Sequence, residues 1–108
     1  MQIYLDNSAT TKPRTEAIAA AQTVLQEQWG NPSSLHDWGN RSATVLETAR
    51  MQVAGLLNAH NPESIVFTSG GTEANNLAIL GVAMQYLTPQ HIIISSIEHS
   101  AINEPAKL

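Results

Sequence analysis

The 108-residue chain contains no cysteine. That absence excludes disulfide bonds, thiolate metal sites and a cysteine nucleophile supplied by this chain. Basic residues are also scarce, with five Lys and Arg against nine Asp and Glu and a formal net charge of −4 at pH 7. Because proteins that bind nucleic acids are usually basic, the composition argues against a nucleic-acid partner.

Long apolar runs are missing as well. No stretch approaches the roughly 18 apolar residues that a membrane helix needs. The first residues show neither the basic leader nor the apolar run of a secretory signal. We therefore expect a cytoplasmic protein with no membrane partner. The chain does have 43% hydrophobic residues, which is typical of a folded domain.

Helical spacing dominates the apolar residues that are present. Between Arg14 and Gln28 they recur at steps of three and four and form one apolar face. The same periodicity predicts a second helix from about His36 to Leu57 and a third that begins near Thr72.

Two short apolar runs, Ile65–Thr68 and His91–Ser95, predict buried strands on either side of the third helix. A strand, a helix and a strand in this order form a βαβ unit, so we expect parallel neighbouring strands with a right-handed crossover. The predicted fold class is α/β. Two parallel strands alone leave open edges and uncovered faces. Residues 13–108 are therefore predicted to be an incomplete part of a larger domain, preceded by an extended arm at residues 1–12.

Gly70 and Gly71 separate the first predicted strand from the third helix. Glycines let a backbone approach a ligand closely, and the free N–H groups and dipole at a helix start bind anions, phosphate above all. Thr72 adds a hydroxyl donor to the same place. The stretch lacks the lysine of a Walker motif and the third glycine of a dinucleotide fingerprint. A phosphate site and a plain turn with Thr72 as N-cap are equally open from this pattern.

His99 follows the second predicted strand. Parallel strands end on one edge of a sheet, about 4.8 Å apart, so His99 is predicted to project over the same crevice as Gly71 and Thr72. A histidine there can stack on a flat ring or move protons near neutral pH, and a structural histidine is the alternative. No two histidines have the spacing of metal ligands, so no metal is expected.

Four segments of the chain resemble NifS-like cysteine desulfurases in their order and spacing: Tyr4–Thr11, Gly30–His36, Val66–Asn76 and the pair Glu98-His99. These enzymes belong to the class V aminotransferase superfamily, have fold type I and depend on pyridoxal 5′-phosphate. The resemblance runs from residue 3 to the end of the chain. It implies that the chain is the N-terminal part of the cofactor-binding large domain of such an enzyme.

The resemblance also implies roles for individual residues. Gly71 and Thr72 would hold the cofactor phosphate, and His99 would stack on the pyridine ring and assist proton transfers. The loop that contains Asn31 and His36 would lie near the entrance of the active site. In the family, L-cysteine becomes L-alanine and its sulfur becomes an enzyme persulfide for iron–sulfur cluster or thio-cofactor assembly. The implied partners are L-cysteine, a sulfur acceptor or iron–sulfur scaffold protein, and a second copy in a homodimer.

In the family, the lysine that binds the cofactor and the cysteine that takes the sulfur lie downstream of the matched region. Because the chain has no cysteine, residues 1–108 are not expected to catalyse the reaction alone. Two alternatives remain open. One is another class V enzyme, a cystine lyase or an aminotransferase. The other is a non-catalytic module that binds phosphate or pyridoxal phosphate.

Overall fold

The computed structural model describes residues 1–107, which fall into two compact units, Met1–Ile65 and a second that begins at Val66. In the first unit the chain starts without regular structure. The Tyr4 hydroxyl lies 2.9 Å from the carbonyl oxygen of Asp6 and 3.0 Å from that of Thr10, which holds a turn in the predicted arm.

Helix α1 covers Thr15–Glu27, one residue inside each predicted limit. Arg14 has extended φ and ψ angles, which are typical of the residue that precedes a helix. Glu16 in the first turn interacts favourably with the positive end of the helix dipole.

Helix α2 covers Asp37–Leu56, also within one residue of the prediction. Its end is a Schellman motif. Asn58 has a positive φ of 53°, the N–H of Asn58 donates to the carbonyl of Gly55, and the N–H of Ala59 donates to that of Ala54. Asparagine tolerates the left-handed conformation better than other non-glycine residues. A short 3-10 turn, Pro62–Ser64, follows and packs against α2.

The second unit contains α3 at Gly71–Ala83 and a short helix α4 at Ser100–Asn103, which a 3-10 turn at Pro105–Lys107 extends. Helix α3 begins one residue before the position predicted from the sequence. It packs against both α4 and the final 3-10 turn. These contacts bring the start of α3 close to the segment that follows His99.

The predicted βαβ unit does not form, because no strand is present in residues 1–107. Ile65 is extended, yet neither 65–68 nor 91–95 pairs with a second strand. A strand requires hydrogen bonds from a neighbouring backbone, which an apolar run cannot supply for itself. Val66 and Ile93, predicted to be buried, are 63% and 95% exposed. The described part of the chain is therefore helical.

Little of the described chain is fully buried. Ala54 in α2 and Ala101 in α4 are the buried hydrophobic residues, at 2% and 8% exposure. An apolar groove of about 630 Å³ lies open between α1 and α2, with Val24 and Val45 among its lining residues. No helix formed by residues 1–107 has the length and apolar character that crossing a membrane requires.

Candidate functional site

The N-terminus of α3 presents unused hydrogen-bond donors beside open space. Gly70 is fully extended, with φ 167° and ψ 179°, and the helix starts at Gly71. The N–H groups of Gly71 and Thr72 precede the first possible intrahelical acceptor and so have no partner within the helix. A Cβ atom added at Gly70 or Gly71 would meet nothing within 4 Å. A ligand therefore has room to approach these donors.

Glu73 holds the turn that precedes α3. Its Oε2 accepts a hydrogen bond of 2.6 Å from the Ser69 hydroxyl and another of 2.6 Å from the Ser69 backbone N–H. The hydroxyl bond, followed by the N–H bond, lowers the pKa of the Glu73 carboxyl below its usual value. The carboxylate is therefore ionised at neutral pH and fixed to the residue before the N-cap.

The three hydroxyl groups of this turn have different partners. Thr68 Oγ1 donates to the carbonyl oxygen of Gly70 at 3.1 Å, and the Ser69 hydroxyl donates to Glu73. Among residues 1–107, the Thr72 hydroxyl forms no hydrogen bond. Thr72 thus combines a free hydroxyl with a free backbone N–H, whereas Thr68 and Ser69 are engaged within the turn.

An open cavity of about 430 Å³ begins at Thr72 and lies where α3 packs against α4. Asn76 also lines it, and the Asn76 side-chain amide donates to the Thr72 carbonyl at 2.8 Å. The opposite wall includes Ser100 and Glu104, and Glu104 pairs with Lys107 at 2.6 Å. The cavity therefore joins Thr72 to the residue directly after His99.

His99 is the N-cap of α4. Its Nδ1 accepts a hydrogen bond of 3.1 Å from the Ala101 backbone N–H, so the neutral ring carries its proton on Nε2. The side chain is exposed and is not among the residues that line the cavity. The structure thus brings the segments of His99 and Thr72 together, and it gives the histidine a capping role, which is one form of the structural alternative.

The predicted entrance loop belongs to the first unit and is held by short-range contacts. Asn31 Oδ1 accepts from the Ser33 N–H at 3.0 Å, and His36 Nδ1 accepts from the Gly39 N–H at 3.2 Å as the N-cap of α2. A Cβ on Gly39 would lie 2.1 Å from the Ser34 carbonyl oxygen, so only glycine fits there. The loop is therefore folded tightly onto the first turn of α2.

Two tryptophans support this loop. Trp29 and Trp38 stack with ring centroids 5.3 Å apart, and the Arg41 guanidinium lies 5.2 Å from the centre of the Trp38 ring. Trp38 also passes so close to Gly30 that a Cβ there would lie 2.4 Å from its carbonyl oxygen. Neither the stack nor the cation–π contact is predicted by the sequence pattern.

The model of the class-V aminotransferase family matches residues 3–108. The chain belongs to the class-V aminotransferase family. The resemblance drawn from the four sequence segments is thereby confirmed, and the family, which has fold type I, agrees with the predicted fold at that coarse level.

Individual relatives within this family carry informative names. The chain is 48% identical over 105 residues to "Cysteine desulfurase IscS" of Dictyoglomus turgidum and 50% identical over 101 residues to "NifS/IcsS protein homolog" of Lactobacillus delbrueckii subsp. bulgaricus. It is 39% identical over 117 aligned residues to "Selenocysteine lyase" of Xenopus tropicalis. These alignments cover 96%, 93% and 96% of the chain.

The same alignments cover 26%, 26% and 27% of the three relatives. The chain therefore spans about a quarter of the length of the curated relatives it matches. Membership of the class-V aminotransferase family is shown over nearly the whole chain, while most of each relative has no counterpart in these residues.

Glu73 is a residue of the site to which the residue pattern gave no role. A capping box has a serine or threonine followed three residues later by glutamate. Here Ser69 and Glu73 are four apart, and the bond is made to the residue before the N-cap. The four-residue spacing of Ser69 and Glu73 around Gly70 and Gly71 is the sequence signal for this bond.

Proposed function

We propose that the protein to which this chain contributes is a pyridoxal 5′-phosphate-dependent cysteine desulfurase. It converts L-cysteine to L-alanine, and the sulfur passes to a cysteine thiol of the enzyme as a persulfide for iron–sulfur cluster or thio-cofactor assembly. The proposal depends on the class-V aminotransferase match, combined with free hydrogen-bond donors at the start of α3 that can bind a phosphate. The relative named "Cysteine desulfurase IscS" supports the choice of substrate.

The residues at the start of α3 fit the phosphate of this cofactor. The N–H groups of Gly71 and Thr72 and the Thr72 hydroxyl can each donate to a phosphate oxygen, and the helix dipole favours its charge. The open space at both glycines leaves room for that group. Pyridoxal phosphate supplies an electron sink for bonds broken at the substrate amino acid. We propose Gly71 and Thr72 as its phosphate ligands.

We propose that His99 stacks on the cofactor ring and exchanges protons through Nε2. The Nδ1 atom is engaged by the Ala101 N–H, so Nε2 is the ring nitrogen that remains available. The His99 side chain is exposed, so a bound cofactor can contact it. This assignment gives His99 both a structural and a catalytic role.

The remaining parts of the site lie outside residues 1–108 in this proposal. The chain has no cysteine to take the sulfur, and we propose that it is inactive alone. We further propose that residues 1–12 form an arm, that 13–108 belong to the large domain, and that 65–68 and 91–95 become strands of its sheet. The apolar composition of both runs and the exposure of Val66 and Ile93 support this. A homodimer and a sulfur-acceptor partner complete the proposal.

The proposed function is tested by assaying the desulfuration of L-cysteine. The whole protein, loaded with pyridoxal phosphate and given L-cysteine, is expected to form alanine and a cysteine residue heavier by one sulfur atom, measured by mass spectrometry of its peptides. Residues 1–108 alone are expected to form neither product. If the whole protein forms no alanine from L-cysteine, or forms it without any persulfide, the proposed reaction is wrong.

A second candidate is selenocysteine lyase activity, which the 39% identity to a relative of that name favours. The assay separates the two because L-selenocysteine would then yield alanine while L-cysteine would not. L-cystine and an α-keto acid acceptor, added in parallel, test the cystine lyase and aminotransferase alternatives. Binding of the cofactor with no turnover of any of these would favour the non-catalytic module.

A further inference from the structure

Glu73 occupies an unexpected position for an acidic residue. It stands in the first turn of α3, beside the donors that the proposed function assigns to a phosphate. Two negative groups at one helix end repel each other, and both cannot use the same donors. The Glu73 carboxylate must therefore have a role other than contact with the anion.

The hydrogen bonds of Glu73 indicate that role. Both Ser69 donors, the backbone N–H and the hydroxyl, point to the single atom Oε2 at 2.6 Å. Ser69 directly precedes Gly70, and a Cβ atom added at Gly70 would meet nothing within 4 Å, so no packing contact fixes this residue. Without a fixed point, two consecutive glycines carry high conformational entropy. The Glu73 carboxylate is the link that joins Ser69 to the helix across this pair.

We propose that Glu73 is a positioning residue of the phosphate site, an inference that rests on the proposed function. It holds Ser69 so that Gly70 and Gly71 keep their geometry and the N–H groups of Gly71 and Thr72 face the phosphate. It also occupies the Ser69 hydroxyl, which leaves Thr72 as the hydroxyl that contacts the anion. Glu73 itself touches neither substrate nor cofactor.

Three variants of the whole protein separate this role from charge and from general stability. Glu73→Gln keeps one oxygen acceptor, which suffices because both Ser69 bonds use one atom, and removes the repulsive charge. Glu73→Ala removes the acceptor as well. Ser69→Ala removes only the hydroxyl bond. Glu63→Gln, in the first turn of a short helix in the other unit, is the matched control for loss of one exposed carboxylate.

The readouts are the dissociation constants of pyridoxal phosphate and of pyridoxal, which lacks the phosphate, and the hydrogen-exchange rate of the Ser69 amide. Glu73→Ala is expected to bind pyridoxal phosphate about fivefold more weakly than Glu73→Gln, the size typical of losing a helix-capping side chain. Pyridoxal affinity should not change. The Ser69 amide should exchange faster in Glu73→Ala and stay protected in Glu73→Gln and Glu63→Gln.

Several results would overturn the inference. One is equal affinity of Glu73→Ala and Glu73→Gln for pyridoxal phosphate, and another is an equal loss of affinity for pyridoxal. A larger loss in Ser69→Ala than in Glu73→Ala would assign the Ser69 hydroxyl to the phosphate instead. Failure of the proposed function looks different, because the unmodified protein would then bind pyridoxal phosphate no better than pyridoxal.

Discussion

Replacing Gly71 by alanine should separate cofactor binding from folding. An added Cβ meets nothing within 4 Å in the described chain, so the substitution should leave the free energy of unfolding unchanged or raise it. Because Cα–Cβ bonds tilt toward the start of a helix, we expect the same Cβ to project toward the space assigned to the cofactor phosphate. Forcing extra atoms into an occupied site costs about 1–3 kcal/mol. Affinity for pyridoxal phosphate should therefore fall by about five- to 150-fold.

Gly81→Ala is the matched control, because Gly81 lies in the same helix and an added Cβ there also meets nothing within 4 Å. A glycine-to-alanine change in a helix interior stabilises by about 1 kcal/mol, and cofactor affinity should be unaffected. The assay is an absorbance titration of the whole apoprotein with pyridoxal phosphate, with thermal unfolding measured on each variant. A Gly71→Ala protein that folds and binds the cofactor within a factor of about two of the unmodified protein would refute the reasoning.

Three further predictions concern stability and the cofactor ring. Gly39→Ala should lower the free energy of unfolding by about 1–3 kcal/mol, because its Cβ would lie 2.1 Å from the Ser34 carbonyl oxygen, whereas Gly55→Ala in the same helix should be neutral or stabilising. Equal thermal midpoints for the two would contradict the close approach. Asn58→Ala should cost about 1 kcal/mol by placing a Cβ in the left-handed region that ends α2, while Asn58→Gly should not destabilise; a lower thermal midpoint for the glycine variant would show the reverse. His99→Asn should keep the cap of α4 and change the absorbance spectrum of the bound cofactor, while His99→Ala should in addition lose about 1 kcal/mol of stability. An unchanged spectrum in both would remove the stacking role.

The helices were predictable because their signals are local. The limits of α1 and α2 follow from apolar periodicity and from the residues beside them, and each agrees with the structure within one residue. The turn at Gly70 and Gly71 was predictable for the same reason. The helix limits and this turn are determined by residues that lie at most four positions apart in the sequence.

The strands were not predictable to the same degree. The run at residues 91–95 has the composition of a buried strand. Whether it pairs depends on a neighbouring strand, which cannot be identified from the sequence of the run itself. Ser69 and Glu73 show the complementary failure, since a one-residue change of spacing from the usual capping box concealed a local bond. The cofactor contact of His99 stays a prediction, and its hydrogen bond from the Ala101 N–H is a further contact that the residue pattern did not indicate.

In a crystal structure of the whole protein with pyridoxal phosphate, we expect a phosphate oxygen within about 2.7–3.2 Å of the Thr72 backbone nitrogen and another within the same range of its hydroxyl. We also expect the cofactor ring against His99 and the Glu73 carboxylate still bonded to Ser69. A phosphate bound away from the start of α3, with the Gly71 and Thr72 donors facing water, would contradict the proposed phosphate site.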